Sequence, residues 1–140
     1  MSGFPVKTSL EVRFRDLDPL GHVNNAVYLS YAELGRRHYF RAVEVDFDGG
    51  SMVLARAEVD FSRPILIDER VEVFSRVVSV GNTSLKNLCE IRADGELAAR
   101  LLGVVVWLEG GRPARVPDVL RERIRRLEAA VGNVVAGLEL

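Results

Sequence analysis

Hydrophobic and polar positions change rhythm along this chain, and each change marks an element. In SLEVRFRDL, residues 9–17, Leu10, Val12 and Phe14 fall on one side and Glu11, Arg13 and Arg15 on the other. That is the period of a half-buried strand. The alternation stops at DPLGHVNN. The next stretch, AVYLSYAELGRRHYFRAV (26–43), is apolar nearly all round and predicts about four turns of helix that must be enclosed. Gly35 within it should cost about 1 kcal/mol relative to alanine, tolerable where backbone must approach backbone.

The rest reads mostly as strand. LARAEVDFSRP (54–64) sets Ala55, Ala57, Val59 and Phe61 against Arg56, Glu58 and Asp60, and Pro64 marks an end or edge. ERVEVFSRVVSV and TSLKNLCEIRA flank the turn Gly81-Asn82, a hairpin signal. Asp94-Gly95 marks a second hairpin, leading into ELAARLLGVVVWLEGG, whose unbroken apolar run suits a central strand covered on both faces. RVPDVLRERIRRLEAAVGNVV closes as a helix, with Pro117 in its first turn and Leu120, Ile124, Leu127 and Val131 at helical spacing. Strand, buried helix, four antiparallel strands and a terminal helix define an α+β domain spanning 1–140. A sheet this short encloses such a helix only by curling, and its open edge invites a second copy, so a dimer is expected.

Composition narrows the classes. The chain has 140 residues, 48% apolar and 28% charged, with formal net charge −1. That excludes disorder and gives no global pull towards nucleic acid or an anionic membrane. A single cysteine, Cys89, excludes an internal disulfide framework and a cysteine-based zinc site. The N-terminus lacks the apolar core of a signal peptide and no stretch has the length of a membrane span, so a soluble, cytoplasmic protein is expected.

Residue by residue, the junction has plain explanations: Asp18-Pro19 with Gly21 is turn chemistry, and Asn24 or Asn25 a helix cap. As a whole, DLDPLGHVNNAVYLSYAELGRR (16–37) closely resembles the signature of hot-dog-fold thioesterases, the 4-hydroxybenzoyl-CoA thioesterase-like acyl-CoA hydrolases and the related plant acyl-carrier-protein thioesterases. AEVDFSRPILIDERVEV, VGNTSLKNLCEI and VWLEGGRPARVPDVLRERI extend the resemblance from about residue 8 to about residue 125. It implies a five-stranded antiparallel sheet wrapped around one long helix, working as a dimer or a dimer of dimers (a homotetramer), and acyl-CoA hydrolysis without a cofactor beyond the CoA of the substrate. It also implies a catalytic carboxylate at Asp18 and a polarising backbone amide near Asn25. The plant branch uses D-x-N-x-H; here Asp18 and His22 are present but Leu20 stands at the asparagine position.

Thioester hydrolysis needs an oxygen nucleophile and stabilisation of the charge developing on the carbonyl oxygen, and N–H groups at a helix start suit the second task. Asp18 could attack directly or deprotonate water; the sequence leaves both open, and leaves His22 between orienting substrate and bonding its own turn. Asp16 reads as a turn or salt-bridge residue. With no third oxygen or nitrogen ligand near Asp16 and Asp18, no metal is expected. Cys89 and His38 read as structural, and Trp107 as core or interface. GNTS (81–84) lies where related enzymes contact pantetheine or nucleotide, so Thr83 and Ser84, with Arg63, are the candidate CoA ligands. Other readings are an acyl-CoA binder without turnover, and an acyl-carrier-protein thioesterase with a basic docking patch at Arg36, Arg37 and Arg41.

Overall fold

The computed structural model describes residues 3–45 and 51–139. Its first strand, β1 (Val6–Glu11), begins and ends earlier than the alternation predicts. Phe14 leaves the strand, entering a 3-10 turn over Phe14–Asp16, and is 83% exposed. The cause is Asp16, whose buried carboxylate accepts hydrogen bonds from the Arg13 N–H, the Arg13 guanidinium and the Tyr31 hydroxyl at 2.9, 2.9 and 2.7 Å. Drawing Asp16 inwards turns Phe14 out.

The helix α1 (Val27–Ala42) follows, then β2 (Met52–Phe61), β3 (Arg70–Val80), β4 (Ser84–Ala93), β5 (Glu96–Glu109), the two-residue β6 (Arg112–Pro113) and α2 (Asp118–Ala129). The sheet runs β1-β3-β4-β5-β2, antiparallel throughout, with β6 on the end of β5. Both expected hairpins are present, β3–β4 closing at Val80↔Leu85 and β4–β5 at Ala93↔Glu96. The sheet carries α1 on β1, β3 and β4, the wrapped arrangement expected of a hot-dog fold.

The close approach predicted at Gly35 is real: a Cβ there would lie 2.5 Å from Val73 Cγ1 on β3. The helix buries Tyr28, Tyr31, Ala32, Gly35, Arg36, Tyr39 and Phe40. Its other side is open in the single chain, with Leu29 and Leu34 exposed. Arg36 therefore cannot belong to a surface patch with Arg37 and Arg41, which are exposed; it lies on the buried stripe. On α2, Leu120 and Ile124 are buried and Leu127 half-buried, while Val131 lies past the helix end and is exposed. Glu128 pins α2 to the sheet, accepting from the Tyr39 hydroxyl at 2.6 Å and the Val77 N–H at 2.9 Å.

The expected faces of β2 are altered by a bulge. Leu54 pairs with Val105 and Arg56 with Val104, so Ala55 is the extra residue and Leu54 takes its place beside Ala57, Val59 and Phe61. Having β5 alone as neighbour, β2 is largely exposed on both faces. Cys89 is buried, and His38 Nδ1 meets Thr8 Oγ1 at 2.8 Å, both structural as expected. Trp107 is half-buried, its indole N–H donating to Glu109 at 3.0 Å.

Candidate active site at the strand–helix junction

The segment from Asp16 to Ala26 is held by its own short-range bonds. The Asp16 carbonyl accepts the Asn24 N–H at 2.8 Å, joining the end of the 3-10 turn to the approach to α1. Between them the chain loops out and back. Asp18 N–H donates to the His22 carbonyl at 2.7 Å, and Gly21 N–H to the Asp18 carbonyl at 3.0 Å. Gly21 has φ of 83°, a left-handed conformation that a side chain would strain. Asp18 Oδ1 closes the loop from inside, accepting the Leu20 and His22 N–H groups at 2.9 and 3.1 Å. Its other oxygen, Oδ2, has no hydrogen bond among the described residues. One oxygen thus anchors the turn and the other remains open.

The helix start is more specific than a row of free amides. Asn24 caps it twice, its Oδ1 accepting the Ala26 N–H at 2.9 Å and its carbonyl the Val27 N–H at 2.8 Å. Tyr28 and Leu29 N–H groups are taken by the Asn25 and Ala26 carbonyls, each at 3.3 Å. The Asn25 N–H has no partner among the described residues.

Asp18, His22, Asn25 and Arg63 line one concavity of about 380 Å³, with Tyr28, Phe61 and Pro64 among its other walls. Four of the six sequence-derived candidates are therefore together. Arg63 is already engaged: it bonds Glu69 through both terminal nitrogens at 2.9 and 2.5 Å and donates to the Pro64 and Ala93 carbonyls. A further ion pair to Glu96, 3.3 Å from Nε, is too poorly aligned to be a hydrogen bond. The Glu69 hydrogen bonds raise the Arg63 pKa against the pull of burial, and Arg63 in turn holds the Glu69 carboxyl below its usual range.

Thr83 and Ser84 are elsewhere. They lie at the β3–β4 hairpin, where the Thr83 carbonyl accepts the Trp107 N–H at 2.8 Å. Ser84 pairs with Val106, and Phe61 at the concavity with Ala99; seven residues of strand are roughly 23 Å. The sequence reading did not reach the wall residues Tyr28 and Phe61. Tyr28 follows the junction directly and Phe61 ends the apolar face of β2, and no sequence signal links them; their rings meet edge-to-face at 5.0 Å.

Comparison with known proteins places the chain in a family. Residues 12–124 match the thioesterase-like superfamily, and the chain belongs to that family. A thioesterase from Thermus thermophilus, solved with coenzyme A and Zn, is 56% identical, with a TM-score of 0.89, over 92% of this chain and 98% of that one. Two chloroplastic acyl-acyl carrier protein thioesterases of Arabidopsis thaliana, ATL3 and ATL2, are 26% and 30% identical over 84% and 80% of this chain. The chain spans 66% and 64% of their lengths. The described residues contain no cluster of three His, Cys, Asp or Glu side chains suited to a metal ion.

Proposed function

We propose that this protein hydrolyses acyl-CoA thioesters, with Asp18 as nucleophile or general base and the Asn25 N–H as oxyanion donor. The observation that carries the reading is one concavity lined both by Asp18, whose Oδ2 has no hydrogen-bond partner among the described residues, and by Asn25, whose helix-start N–H likewise has none. A thioester carbonyl at Asn25 would gain a fixed donor where charge develops, and the loss of one such donor typically costs ~10²–10³ in rate. Asp18 Oδ2 then faces either the carbonyl carbon or an intervening water, and His22 orients that water or the carbonyl.

The CoA-bound neighbour, similar over nearly the whole chain, favours CoA over a carrier protein as the thiol carrier. The docking patch of the carrier-protein reading also loses Arg36 to the interior. In this reading Thr83 and Ser84 come to the site from a second copy. Antiparallel pairing of two β2 edges about a two-fold axis sets the Met52 end of one strand beside the Phe61 end of the other, and the β3–β4 hairpin lies at the Met52 end. In such a homodimer, or a dimer of dimers, Thr83 and Ser84 of one chain reach the CoA bound at Asp18 of the other.

CoA release from short, medium, long and aromatic acyl-CoAs tests the reading in the wild type and Asp18→Asn. Turnover should fall ~10²–10⁴-fold in the variant with acyl-CoA binding retained. Binding without turnover by the wild type would make the protein an acyl-CoA carrier or sensor, and undiminished turnover in the variant would remove Asp18 from the chemistry.

A further inference from the structure

Among the described residues Arg36 forms no ion pair, although Glu33 lies near enough to act on it electrostatically. It is 7% exposed on the buried stripe of α1. Its Nε donates to Asn87 Oδ1 at 3.2 Å, and Asn87 is itself fixed by Ser75 Oγ and the Arg76 carbonyl at 2.9 and 3.0 Å. The two terminal nitrogens of the guanidinium donate to nothing among the described residues. Burial lowers the Arg36 pKa, opposed by the neighbouring Cys89 and Glu33. In the single chain these nitrogens still reach solvent; once the space beside them is filled they need an acceptor, because a buried cation with open donors is costly.

Arg36 lines a cavity of about 270 Å³ whose other walls are Leu29, Met52, Val53, Leu54 and Val105, with Glu33 as its acidic member. Glu33 is exposed and makes no ion pair with Arg36. Space for the guanidinium depends on Gly103, where a Cβ would lie 3.3 Å from Nη2. The cavity occupies the gap between α1 and β2 further along both elements from the junction, where Tyr28 meets Phe61. The two cavities share no wall residue in the single chain, and an acyl group joining them must span, from Tyr28 to Arg36, roughly 12 Å of helix rise, comparable with a medium-chain acyl group.

We propose that Arg36 is a specificity residue that selects acyl groups bearing an oxygen function, hydroxyl or carboxylate, at the end remote from the thioester. The inference rests on the thioesterase reading above and deepens it. Apolar walls accept the methylene chain, and the open guanidinium donors require an oxygen at its end. A hydroxyl would accept from Arg36 and donate to Glu33, while a carboxylate would take two bonds from Arg36 against repulsion by Glu33.

The test compares octanoyl-, decanoyl- and dodecanoyl-CoA with their ω-hydroxy and ω-carboxy counterparts, in the wild type and Arg36→Met, with sedimentation velocity on both proteins. One charge-assisted hydrogen bond predicts a wild-type preference in kcat/KM of roughly 10- to 100-fold for an oxygenated chain of matching length, carried mainly by KM. In Arg36→Met that ratio should collapse towards one. The hydroxy and carboxy arms decide which oxygen is read. Inhibition of the wild type by free ω-hydroxy acids against plain fatty acids gives the same discrimination without a variant. Wild-type hydrolysis with no preference at any length overturns the inference and leaves the thioesterase reading standing. An equal loss on every substrate, with dissociation of the assembly, also overturns it and assigns Arg36 to the subunit contact. A wild type that hydrolyses none of the panel removes both readings.

Discussion

At the scale of single residues, Asp16 and Asp18 show how one pair of aspartates divides its work. Asp16 is 1% exposed and bonded through its side chain to Arg13 and Tyr31, whereas Asp18 is half-buried with one oxygen open. Burial pushes the Asp16 pKa up, but the hydrogen bonds from Arg13 and Tyr31 outweigh it and leave the pKa lowered. A carboxyl with a lowered folded pKa stabilises the protein above its unfolded pKa, near 3.9, and that contribution is lost as pH falls through the folded value. Tyr31→Phe removes a bond to a charged acceptor, worth about 1.5–3 kcal/mol. Urea unfolding at neutral pH should show that loss, and the fall in stability below about pH 4 should be shallower in the variant because its Asp16 pKa lies nearer the ordinary value. An unchanged acid slope would mean that Asp16 titrates independently of Tyr31. The turn at Asp18 and the cap at Asn24 were legible in the sequence because turn and cap residues carry their own signals, whereas the candidate roles of Asp18 and Asn25 came only from the family resemblance. Arg36 was obscured by residue type: next to Arg37 it reads as surface charge. Yet its helical spacing from Tyr28, Ala32 and Tyr39 marks its Cα as inward.

Among the elements, α1 holds both the site and the core, and its seat on β3 depends on one missing methyl group. Alanine at position 35 would gain about 1 kcal/mol of helix propensity, but its Cβ would stand 2.5 Å from Val73 Cγ1. Overpacking of that kind costs about 1–3 kcal/mol, so Gly35→Ala should destabilise on balance. Val73→Ala opens a void at the same place, and the double variant should recover part of both losses. A thermodynamic cycle from chemical denaturation measures this coupling, expected at about 0.5–3 kcal/mol; additivity would show that α1 moves rather than presses on β3. Periodicity was sufficient to locate α1, β3, β4 and β5 because each has a buried face that enforces its pattern. It failed at the end of β1, where the buried Asp16 overrides alternation, and on β2, where an edge strand with a bulge has little burial to enforce one.

In the whole molecule, the single chain leaves three features open: the β2 edge, the outer side of α1 with Leu29 and Leu34, and the separation of Thr83 and Ser84 from Asp18. The proposed second copy, paired through β2, would address the edge and the separated hairpin and would cover Leu29, which faces β2, whereas Leu34 lies on the β1 side of the helix. The proposed pairing would cover Val53 and Leu54, 48% and 40% exposed in the single chain, and would assemble each site from two chains. Val53→Asp would place a charge in that contact, and sedimentation should show the assembly shifting to monomers with activity falling in step. The shared site can be tested independently by complementation. Asp18→Asn removes the carboxylate, and Thr83→Glu places a negative charge beside the proposed CoA phosphates, so each parent should be nearly inactive. Co-expressed, half of the dimers are mixed; each mixed dimer then has one site with both lesions and one with neither, restoring about a quarter of wild-type activity. If Thr83 served the site of its own chain, every site in the mixture would carry one lesion and nothing would be restored. The recovered activity therefore reports which chain supplies the hairpin, independently of how tightly the subunits bind.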